Sequence, residues 1–411
     1  MGAALVGLTP RPYQYVGRDF LAGRRHALLA DEMRVGKSGQ AILAAQKVGA
    51  QRTLVVCPAI AVNQWSSEWR RWWPQAGDAP TVVSYDRLRL NAEGVLANDY
   101  DLAIVDECHF AKNPEAQRTK LIYGKGGVGW KAKRLWVLSG TPAPKHAAEL
   151  WPMLRAFGAV GMTYDEFVRR YCTVDPLTLR VTGTKAAHIP ELRAILATVM
   201  LRRTRKDVAP DMPEIGFNFL KVQPKAVPGY AIPAGLNDDA LLAWVEAHAA
   251  ANAQDRQEVA LAKVPALADE IEFAITNGLL KQTVVFGWHK APLMELVRTL
   301  EARGISTGIL TGDTPPKQRE LVQYGFREGH VEVVCANILA AGTAIDLSAA
   351  RHAYVLEIDW VPGNNLQAVN RLVSMEKSDK VTVDVVTWPG STDDRVQKVL
   401  LRRVEELSKL Y

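Results

Sequence analysis

Two series of short apolar runs, separated by longer segments of helical periodicity, constrain the fold of this 411-residue chain more than any other feature. Continuous apolar runs of about four to eight residues are typical of strands that are buried on both faces of a sheet. The chain between successive runs is long enough for the crossover helix that a parallel sheet requires. The pattern therefore predicts an α/β protein with two parallel sheets, each covered by helices. The predicted strands are residues 27–30, 53–57, 81–84, 102–105 and 135–138 in the first series, and 283–286, 306–310, 332–336, 352–357 and 382–386 in the second.

A basic, proline-punctuated stretch over residues 200–213 separates the two series. Residues 240–251 and 259–276 follow it, and their alanine-rich composition predicts helices. Domains commonly hold about 100–200 residues, so two lobes fit the length of the chain. The predicted organisation is a first lobe over residues 1–215, a linker and helical segment over 216–275, and a second lobe over 276–411.

Composition adds little about function but indicates a cellular compartment. The chain has 50 basic and 44 acidic residues; the resulting formal charge of +6 mildly favours a polyanionic partner and is also common in other proteins. The cysteines are too far apart for a zinc site or a disulfide framework, so we expect buried free thiols. The N-terminus does not resemble a secretory signal, and we find no run of about 20 apolar residues. We expect a protein of the cytoplasm, in a bacterium or phage-infected cell, or of the nucleus in a eukaryote.

A candidate phosphate-binding loop follows the first predicted strand. Gly36, Lys37 and Ser38 stand between that strand and a predicted helix over residues 40–48. A phosphate needs backbone N–H groups at a helix N-terminus, a cation for its β and γ oxygens, and a hydroxyl that can hold Mg²⁺. These residues supply all of them. The usual pattern has a further glycine where Asp31 stands, so the tripeptide alone leaves a chance occurrence open.

A pair of carboxylates ends the fourth predicted strand. Asp106 and Glu107 follow residues 102–105, and His109 comes shortly after them. A carboxylate at the tip of a buried strand can hold Mg²⁺, and its neighbour can orient or deprotonate an attacking water. The alternative is a strand that ends in solvated acids, which the preceding Gly-Lys-Ser loop disfavours. We assign no catalytic role to His109, since a histidine there can equally cap or pack.

The order of these elements resembles the Swi/Snf-type ATPases of helicase superfamily 2 over most of the chain. The resemblance implies two RecA-like lobes with the nucleotide site in the cleft between them, and ATP and Mg²⁺ as cofactors. Short motifs in the family's order carry it. They are residues 8–14, 30–38, 54–58, 63–69, 83–86, 106–109, 138–142, 200–208, 283–289, 311–313, 341–347 and 367–371.

The resemblance assigns roles to individual residues. It implies that Gln14 reads the adenine edge, that Glu107 acts on water and that Arg371 senses the γ-phosphate. The wider nucleotide-binding set is Arg11, Gln14, Met33, Val35, Gly36, Lys37, Ser38 and Gln367. The predicted catalytic residues are Lys37, Asp106, Glu107 and Arg371, and the predicted Mg²⁺ ligands are Ser38 and Asp106. Residues predicted to couple the phosphate site to DNA are Ser139, Gly140, Thr141, Gly342 and Asp346.

The segment over residues 200–208 is the most specific part of the resemblance. Swi/Snf-type proteins carry such a segment at the junction of their lobes, whereas generic DEAD-box proteins do not. Arg202, Arg203, Arg205 and Lys206 would add positive charge at this junction. A basic, solvated linker is the alternative that composition alone favours.

The motif over residues 367–371 departs from the family pattern. A second arginine is expected three residues after Arg371, on the same helical face, where this chain has Ser374. Such an arginine accelerates related phosphoryl-transfer enzymes about 10³–10⁵-fold, and a hydroxyl does not replace a delocalised cation. Three explanations stay open: Arg371 suffices, a nearby cation such as Lys377 takes the place, or the chain hydrolyses ATP poorly. Arg34 also replaces a usual glycine; we expect it to face solvent, and the alternative is a contact with the phosphates.

The resemblance implies DNA, double-stranded or branched, as the partner. In the family both lobes contact mostly phosphates, so the contacts position the protein rather than read sequence. Trp65 and Trp69 stand four apart on a predicted helix, so we interpret them as packing residues rather than base-stacking platforms. The predicted DNA-binding residues are Pro58, Tyr85, Lys112, Asn113, Trp288, His289, Thr311 and Gly312.

We therefore expect a monomeric, DNA-stimulated and Mg²⁺-dependent ATPase that translocates on duplex DNA and remodels or reanneals it. Two alternatives are kept: an ATP-dependent DNA-binding module or scaffold with weak hydrolysis, and a strand-separating helicase. The compact length favours a bacterial, phage or annealing-helicase (HARP-like) protein over a nucleosome remodeller.

Overall fold

The structure, a computed structural model, divides into two compact units between residues 210 and 211. Each unit contains a parallel sheet covered by helices, as predicted. Within the part of the chain described, no helix is long and apolar enough to cross a membrane. The structure describes residues 8–75, 79–176, 178–210, 214–223, 235–236, 240–241, 244, 249–341, 345–359, 361–374, 379–389, 394 and 396–397.

The sheet of the first unit contains all five strands predicted from the apolar runs. The strands of this unit are β1 (His26–Leu29), β2 (Thr53–Cys57), β3 (Thr81–Ser84), β4 (Tyr100–Asp106), β5 (Ala132–Leu138), β6 (Cys172–Val174), β7 (Val181–Thr184) and β8 (Met200–Leu201). The parallel sheet has the order β3-β2-β4-β5-β1-β8, and β6 and β7 form an antiparallel hairpin. The hairpin and the two-residue β8 were not predicted, because neither contains a continuous apolar run.

Both faces of this sheet are buried. Leu28 and Val56 belong to a core cluster on one face, and Leu29 and Val55 belong to a cluster on the other. Because successive side chains of a strand point to opposite faces, only a run in which every residue is apolar fills both clusters. The four cysteines are also buried free thiols, as expected.

Helices flank the sheet of the first unit. The helix predicted over residues 40–48 begins at Lys37, because Gly36 adopts the left-handed conformation that starts it. The helices are α1 (Pro12–Ala22), α2 (Lys37–Lys47), α3 (Val62–Trp72), α4 (Tyr85–Leu90), α5 (Ala92–Leu96), α6 (Gln117–Tyr123), α7 (Val128–Lys131), α8 (Trp151–Ala156), α9 (Tyr164–Tyr171), α10 (Ile189–Val199) and α11 (Arg205–Val208).

The sheet of the second unit contains the five predicted strands and one more. Its strands are β9 (Ile215–Lys221), β10 (Thr283–Gly287), β11 (Thr307–Leu310), β12 (Val333–Asn337), β13 (His352–Val355) and β14 (Val381–Thr387). They are parallel, in the order β11-β12-β10-β13-β14-β9. The edge strand β9 lies largely within the segment 216–275 assigned to a linker. Its Phe217 and Phe219 are 42% and 44% exposed, so the strand lacks a buried apolar run.

A long helix packs on the sheet of the second unit. The helix predicted over residues 259–276 begins earlier, at Ala249, because the polar residues 254–258 interrupt the apolar pattern of its first turns. Half of the helix predicted over 240–251 lies outside the described residues, and its last three residues begin the long helix. Lys263 is fully buried, and its Nζ donates to the carbonyl oxygens of Leu356 at 2.6 Å and Val386 at 3.2 Å. The helices are α12 (Ala249–Thr276), α13 (Lys290–Glu301), α14 (Pro316–Arg327), α15 (Ile338–Ala341) and α16 (Pro362–Val369).

Candidate functional site

The loop between β1 and α2 turns through two left-handed residues. Arg34 has a φ of 68° and Gly36 a φ of 75°. Glycine adopts this conformation freely, whereas arginine does so at a cost of about 1–2 kcal/mol, so surrounding contacts must hold the loop. Nζ of Lys37 donates to the carbonyl oxygens of Asp31 at 3.0 Å and Glu32 at 3.2 Å. An ammonium therefore lies beside a helix N-terminus, whose backbone N–H groups favour an anion.

The first turn of α1 lies against this loop. The Tyr13 hydroxyl donates to the carbonyl oxygen of Val35 at 3.2 Å. Gln14 is buried, and its Oε1 accepts from the backbone N–H of Arg11 at 2.8 Å. A Cβ added to Gly36 would lie 2.7 Å from Nε2 of Gln14, so glycine permits this close approach. The structure thus brings the residue predicted to read adenine to the phosphate loop, while Arg11 is exposed at the start of the helix.

The acidic pair lies at the carboxyl end of β4. Glu107 has a left-handed φ of 51°. The Trp65 indole nitrogen donates to Oδ2 of Asp106 at 2.8 Å. The Tyr85 hydroxyl donates to the backbone oxygens of Asp106 at 2.8 Å and Glu107 at 3.1 Å. These contacts fix the backbone and one carboxylate of the pair.

The charges of this site influence one another. Burial, together with the charge of Glu107, raises the pKa of Asp106 to about 6. Burial lowers the pKa of the Lys37 ammonium, while the charges of Glu107 and Asp106 oppose that shift. The cation and both carboxylates therefore share one electrostatic environment, as an ATP site with Mg²⁺ requires.

A serine after β5 links the acidic pair to the next loop. Ser139 is fully buried, and its Oγ donates to Oε2 of Glu107 at 3.3 Å. The same oxygen accepts from the backbone N–H of Thr141 at 3.2 Å and lies 3.1 Å from Nδ1 of His109. His109 is buried and packs against this pair. One hydroxyl thus connects the predicted water-activating carboxylate to the loop predicted to couple it to DNA.

Gly140 brings that same loop to the phosphate loop. A Cβ added at this position would lie 2.9 Å from Cγ of Met33 and 3.4 Å from Nζ of Lys37. The carbonyl oxygen of Gly140 accepts from Nη1 of Arg202 at 3.1 Å. Four predicted motifs of the first unit therefore meet around the loop that carries Lys37. They are residues 8–14, 106–109, 138–142 and 200–208.

The oxygen donors of the first unit fit Mg²⁺. Among the residues described, no group of three or more histidine, cysteine, aspartate or glutamate side chains could hold a metal ion. Mg²⁺ at nucleotide sites is usually held by one or two carboxylates together with phosphate oxygens and waters. Asp106 and the hydroxyl of Ser38, in the first turn of α2, are hard oxygen donors of that kind. They stay the predicted ligands.

The predicted nucleotide residues of the second unit lie in and after α16. Gln367 is buried in that helix. Arg371 lies beyond its end, in a 3₁₀ turn over Asn370–Leu372, and Val373 is extended with φ −97° and ψ 136°. The expectation that Arg371 and Ser374 share one helical face is therefore wrong, because the helix has ended before either residue.

Glu357 organises the loop after β10. This carboxylate is 4% exposed, and its Oε2 accepts from the backbone N–H groups of Trp288 at 3.1 Å and His289 at 2.9 Å. Its Oε1 lies 2.6 Å from Nδ1 of His289. Asn337 donates to the carbonyl oxygen of Trp288 at 2.5 Å. Trp288 and His289, both predicted to contact DNA, are half-buried and held by this network.

The predicted DNA contacts of the first unit differ in exposure. Asn113 is exposed, whereas Pro58 is buried. Lys112 pairs with the buried Glu149 at 2.7 Å. Tyr85 is only 4% exposed, and its hydroxyl is bonded to the backbone of the acidic pair. We therefore correct its assignment: the ring packs in the core and does not present a surface to DNA.

The loop after β11 has one exposed predicted contact. Thr311 is buried, whereas Gly312 is exposed. Nη2 of Arg319 donates to the carbonyl oxygen of Thr311 at 2.5 Å, and its Nε donates to that of Thr314 at 2.9 Å. The guanidinium thus fixes the loop from within and leaves Gly312 at its surface.

Of the two remaining coupling residues, the structure describes Asp346, which lies beside α14. Asp346 is exposed, and its backbone N–H donates to Oε1 of Gln323 at 3.1 Å. Gly342 lies outside the described residues. The coupling role of both stays a prediction.

Sequence reasoning missed the side chains that hold the predicted site residues in place. Trp65 and Trp69 are buried as expected, but the bond from Trp65 to Asp106 was not foreseen. Glu357 and the network around Arg203 were missed as well. The available signal was weak: a buried tryptophan or carboxylate needs a hydrogen-bond partner, but the sequence does not name that partner.

Two protein families match the chain: the SNF2-related domain over residues 77–228 and the helicase conserved C-terminal domain over 262–375. The SWI/SNF-related matrix-associated actin-dependent regulator of chromatin subfamily A-like protein 1 of Xenopus tropicalis is 25% identical over 98% of this chain and 45% of its own length. The DNA annealing helicase and endonuclease ZRANB3 of Mus musculus is 27% identical over 96% of this chain and 40% of its own length. The chain thus spans less than half of these relatives. A solved structure, the Sulfolobus solfataricus SWI2/SNF2 ATPase core in complex with dsDNA, aligns over 99% of this chain and 94% of its own with 20% identity and a TM-score of 0.46.

Proposed function

Because this chain belongs to the SNF2-related family, with a helicase conserved C-terminal domain after the SNF2-related domain, we propose that it hydrolyses ATP to translocate on DNA. The DNA is double-stranded or branched, and translocation remodels or reanneals it without necessarily separating its strands. The protein acts inside the cell, where ATP and DNA are found, and works as a monomer.

The observation that carries this proposal is the convergence of four motifs of the first unit around Lys37. The ammonium lies at the start of α2, and the charges of Asp106 and Glu107 act on it. Ser139 joins Glu107 to the loop after β5 at 3.3 Å. An anion-binding helix start, a cation and two carboxylates of unequal environment are what phosphoryl transfer to water needs.

Each residue has a proposed role in this reaction. Gln14 and Arg11 recognise adenine, Met33 to Gly36 shape the loop, and Lys37 binds the β and γ phosphates. Ser38 and Asp106 would hold Mg²⁺, which would supply positive charge against the phosphates. Glu107 orients the attacking water and accepts its proton. The roles of Gln367 and Arg371 at the same nucleotide stay predictions drawn from the family resemblance.

The DNA-binding proposal rests on the family and on two exposed loop residues. Asn113 and Gly312 are both exposed, in the connections that follow the parallel strands β4 and β11. The Mus musculus relative is named a DNA annealing helicase, which supports annealing or remodelling as the outcome of translocation. Phosphate contacts would dominate, so binding is expected to weaken steeply with salt.

One experiment tests the proposal directly. ATP turnover is measured without nucleic acid and with single-stranded DNA, duplex, forked DNA and RNA, each over a series of salt concentrations. We expect stimulation by duplex or forked DNA, lost as salt rises, and loss of turnover in Lys37→Ala and Glu107→Gln. Equal turnover under every condition, or undiminished turnover in both variants, would contradict it. A labelled fork in the same reactions distinguishes strand separation from translocation.

A second candidate is an ATP-dependent DNA-binding module with weak hydrolysis. The end of α16 before Arg371 and the serine at 374 favour it, since neither places two guanidinium groups on one helical face. The variant Ser374→Arg discriminates between the two. A large gain in turnover would indicate an impaired motor, and no gain would indicate that Arg371 already suffices.

A further inference from the structure

Resting on the proposed ATPase function, we infer that Arg203 is a positioning residue that ties the adenine-binding and phosphate-binding elements of the first unit to residues 201–205. Nucleotide bound at the loop is thereby sensed by the segment that leads along the chain into the second unit. No residue of this set touches the reacting atoms in the role we propose. The contacts of one side chain carry the inference.

The guanidinium of Arg203 donates to three different elements. Its Nε and Nη2 donate to the two carboxylate oxygens of Asp31, at 3.0 and 2.5 Å. Its Nη1 donates to the carbonyl oxygen of Tyr13, in the first turn of α1, at 2.7 Å. Its Nη2 also donates to Oε1 of Gln40, in α2, at 2.8 Å. The fork of an arginine is needed for this arrangement, because a lysine presents a single point of charge.

Because these groups are largely buried, loss of the contacts between them would be unfavourable. The side chain of Asp31 is fully buried, and that of Arg203 is 13% exposed. A buried carboxylate left without its partner is strongly unfavourable, so the loop would rearrange if the guanidinium were removed. Asp31 stands at the start of the loop whose carbonyl groups hold Lys37. Asp31 therefore connects Arg203 to Lys37: its carboxylate accepts from Arg203, and its carbonyl oxygen accepts from Nζ of Lys37.

Gln40 extends the network to the other end of the loop. Its Nε2 donates to Oδ2 of Asp31 and to the carbonyl oxygen of Val35, both at 3.2 Å. Gly17 of α1 packs so closely that a Cβ there would lie 1.7 Å from Oε1 of Gln40. Tyr13 also donates to Val35, so α1, the loop and α2 meet at one place.

The backbone after β8 runs alongside the same loop. The backbone N–H of Ala30 donates to the carbonyl oxygen of Leu201 at 2.8 Å, and that of Glu32 donates to the carbonyl oxygen of Arg203 at 3.0 Å. The backbone N–H of Arg205 donates to Oε2 of Glu32 at 2.5 Å. Residues 201–205 are thus bonded to the loop by main chain as well as side chain. The basic segment serves here to hold the loop rather than to form a solvated linker.

The test measures whether nucleotide binding at the loop alters residues 201–208 through Arg203. Backbone amide hydrogen exchange of residues 201–208 is measured with and without AMP-PNP and Mg²⁺, in the full chain and in Arg203→Ala. In parallel, KM for ATP and kcat are measured in the presence of DNA. We expect AMP-PNP to slow exchange in the wild type but not in Arg203→Ala. We also expect KM to rise about tenfold or more in that variant, with a smaller rise in Arg203→Lys.

Arg134 supplies a matched control. It is also a half-buried guanidinium of the first unit, and its Nη1 donates to the carbonyl oxygens of Ala22 at 3.1 Å and Arg24 at 3.0 Å. Arg134→Ala removes similar bonds away from the loop, so it is expected to lower the melting temperature without changing the response to AMP-PNP. If Arg203→Ala matches Arg134→Ala in both KM and exchange, the inference is overturned.

Gln40 provides a second variant that tests the same network. If Arg203→Ala does not fold, Gln40→Met takes its place, because it removes only the bonds of Gln40; a KM for ATP equal to that of the wild type would then overturn the inference. If the wild type binds AMP-PNP but shows no ATP turnover, the proposed function fails. The exchange response still decides the role of Arg203 in that case.

Discussion

The indole nitrogen of Trp65 donates a 2.8 Å hydrogen bond to Oδ2 of Asp106, the carboxylate predicted to hold Mg²⁺. The other oxygen, Oδ1, accepts from the backbone N–H of Glu107 at 3.0 Å. Each carboxylate oxygen therefore has one protein donor that fixes its orientation. Partners of this kind orient a metal ligand and commonly change metal affinity or activity about 10–100-fold when removed.

The variant Trp65→Phe should weaken Mg²⁺-dependent turnover. It keeps an aromatic ring in the core but removes the donor to Asp106 together with part of the ring. We expect kcat to fall about tenfold and the half-saturating Mg²⁺ concentration to rise. Turnover over a series of Mg²⁺ concentrations measures both.

Trp69 offers the matched control for this change. It lies on the same helix, is equally buried, and its indole nitrogen has no hydrogen-bond partner within the described part of the chain. Trp69→Phe therefore makes the same change of ring without loss of a bond. An equal effect of the two variants on the Mg²⁺ dependence would show that Trp65 acts by packing alone.

The variants Glu107→Gln and Ser139→Ala should separate the hydrolysis step from the coupling of hydrolysis to DNA. The glutamine is not a base, so kcat should fall about 10²–10⁴-fold while ATP still binds. The alanine removes the 3.3 Å bond from Ser139 to Glu107 and the acceptor of Thr141, so stimulation by DNA should fall more than the basal rate. Basal and DNA-stimulated turnover are compared in each variant. If Ser139→Ala lowered both rates by one factor, Ser139 would serve only to position Glu107.

The variant Gly140→Ala should weaken ATP binding. The new Cβ would lie 2.9 Å from Met33 and 3.4 Å from Nζ of Lys37, so the phosphate loop must shift. Small displacements of a reacting group can cost about 10²-fold, and we expect KM for ATP to rise about tenfold or more. Gly161→Ala is the control, because no atom lies within 4 Å of its added Cβ. An unchanged affinity in Gly140→Ala, measured by titration with AMP-PNP, would contradict the close packing of these loops.

The sequence predicts the two parallel sheets well because their strands are buried on both faces. Residues 53–57 have the predicted bounds, and all five positions of that strand are buried. Residues 81–84 also have the predicted bounds, although Thr81 is exposed and only Val83 is buried. The edge strand β9 was missed because its phenylalanines are exposed, and it joins the sheet mainly by backbone pairing with β14. Periodicity reports burial, and an edge strand is defined instead by hydrogen bonds that the side chains do not encode.

The sequence predicts the motifs of the candidate site but not the side chains that hold them in place. Lys37, Asp106 and Glu107 stand at recognisable positions after strands and before a helix. The partners that hold them come from distant parts of the chain: Arg203 reaches Asp31 across 172 positions. Such partners are set by the packing of whole elements. The family resemblance also placed Arg371 and Ser374 on one helical face, whereas the structure ends the helix before Arg371.

The variant Glu357→Ala should weaken the response to DNA without affecting ATP binding in its absence. It leaves the backbone N–H groups of Trp288 and His289 without their acceptor. A buried donor that loses its partner costs about 1–3 kcal/mol, so the loop after β10 should shift and the DNA concentration for half-maximal stimulation should rise about tenfold. Glu357→Gln is the matched control, because its amide oxygen can still accept both N–H groups, and it should change that concentration less. ATP turnover over a series of duplex concentrations measures the effect. A half-maximal concentration equal to that of the wild type in Glu357→Ala would show that the loop after β10 makes no contribution to DNA binding.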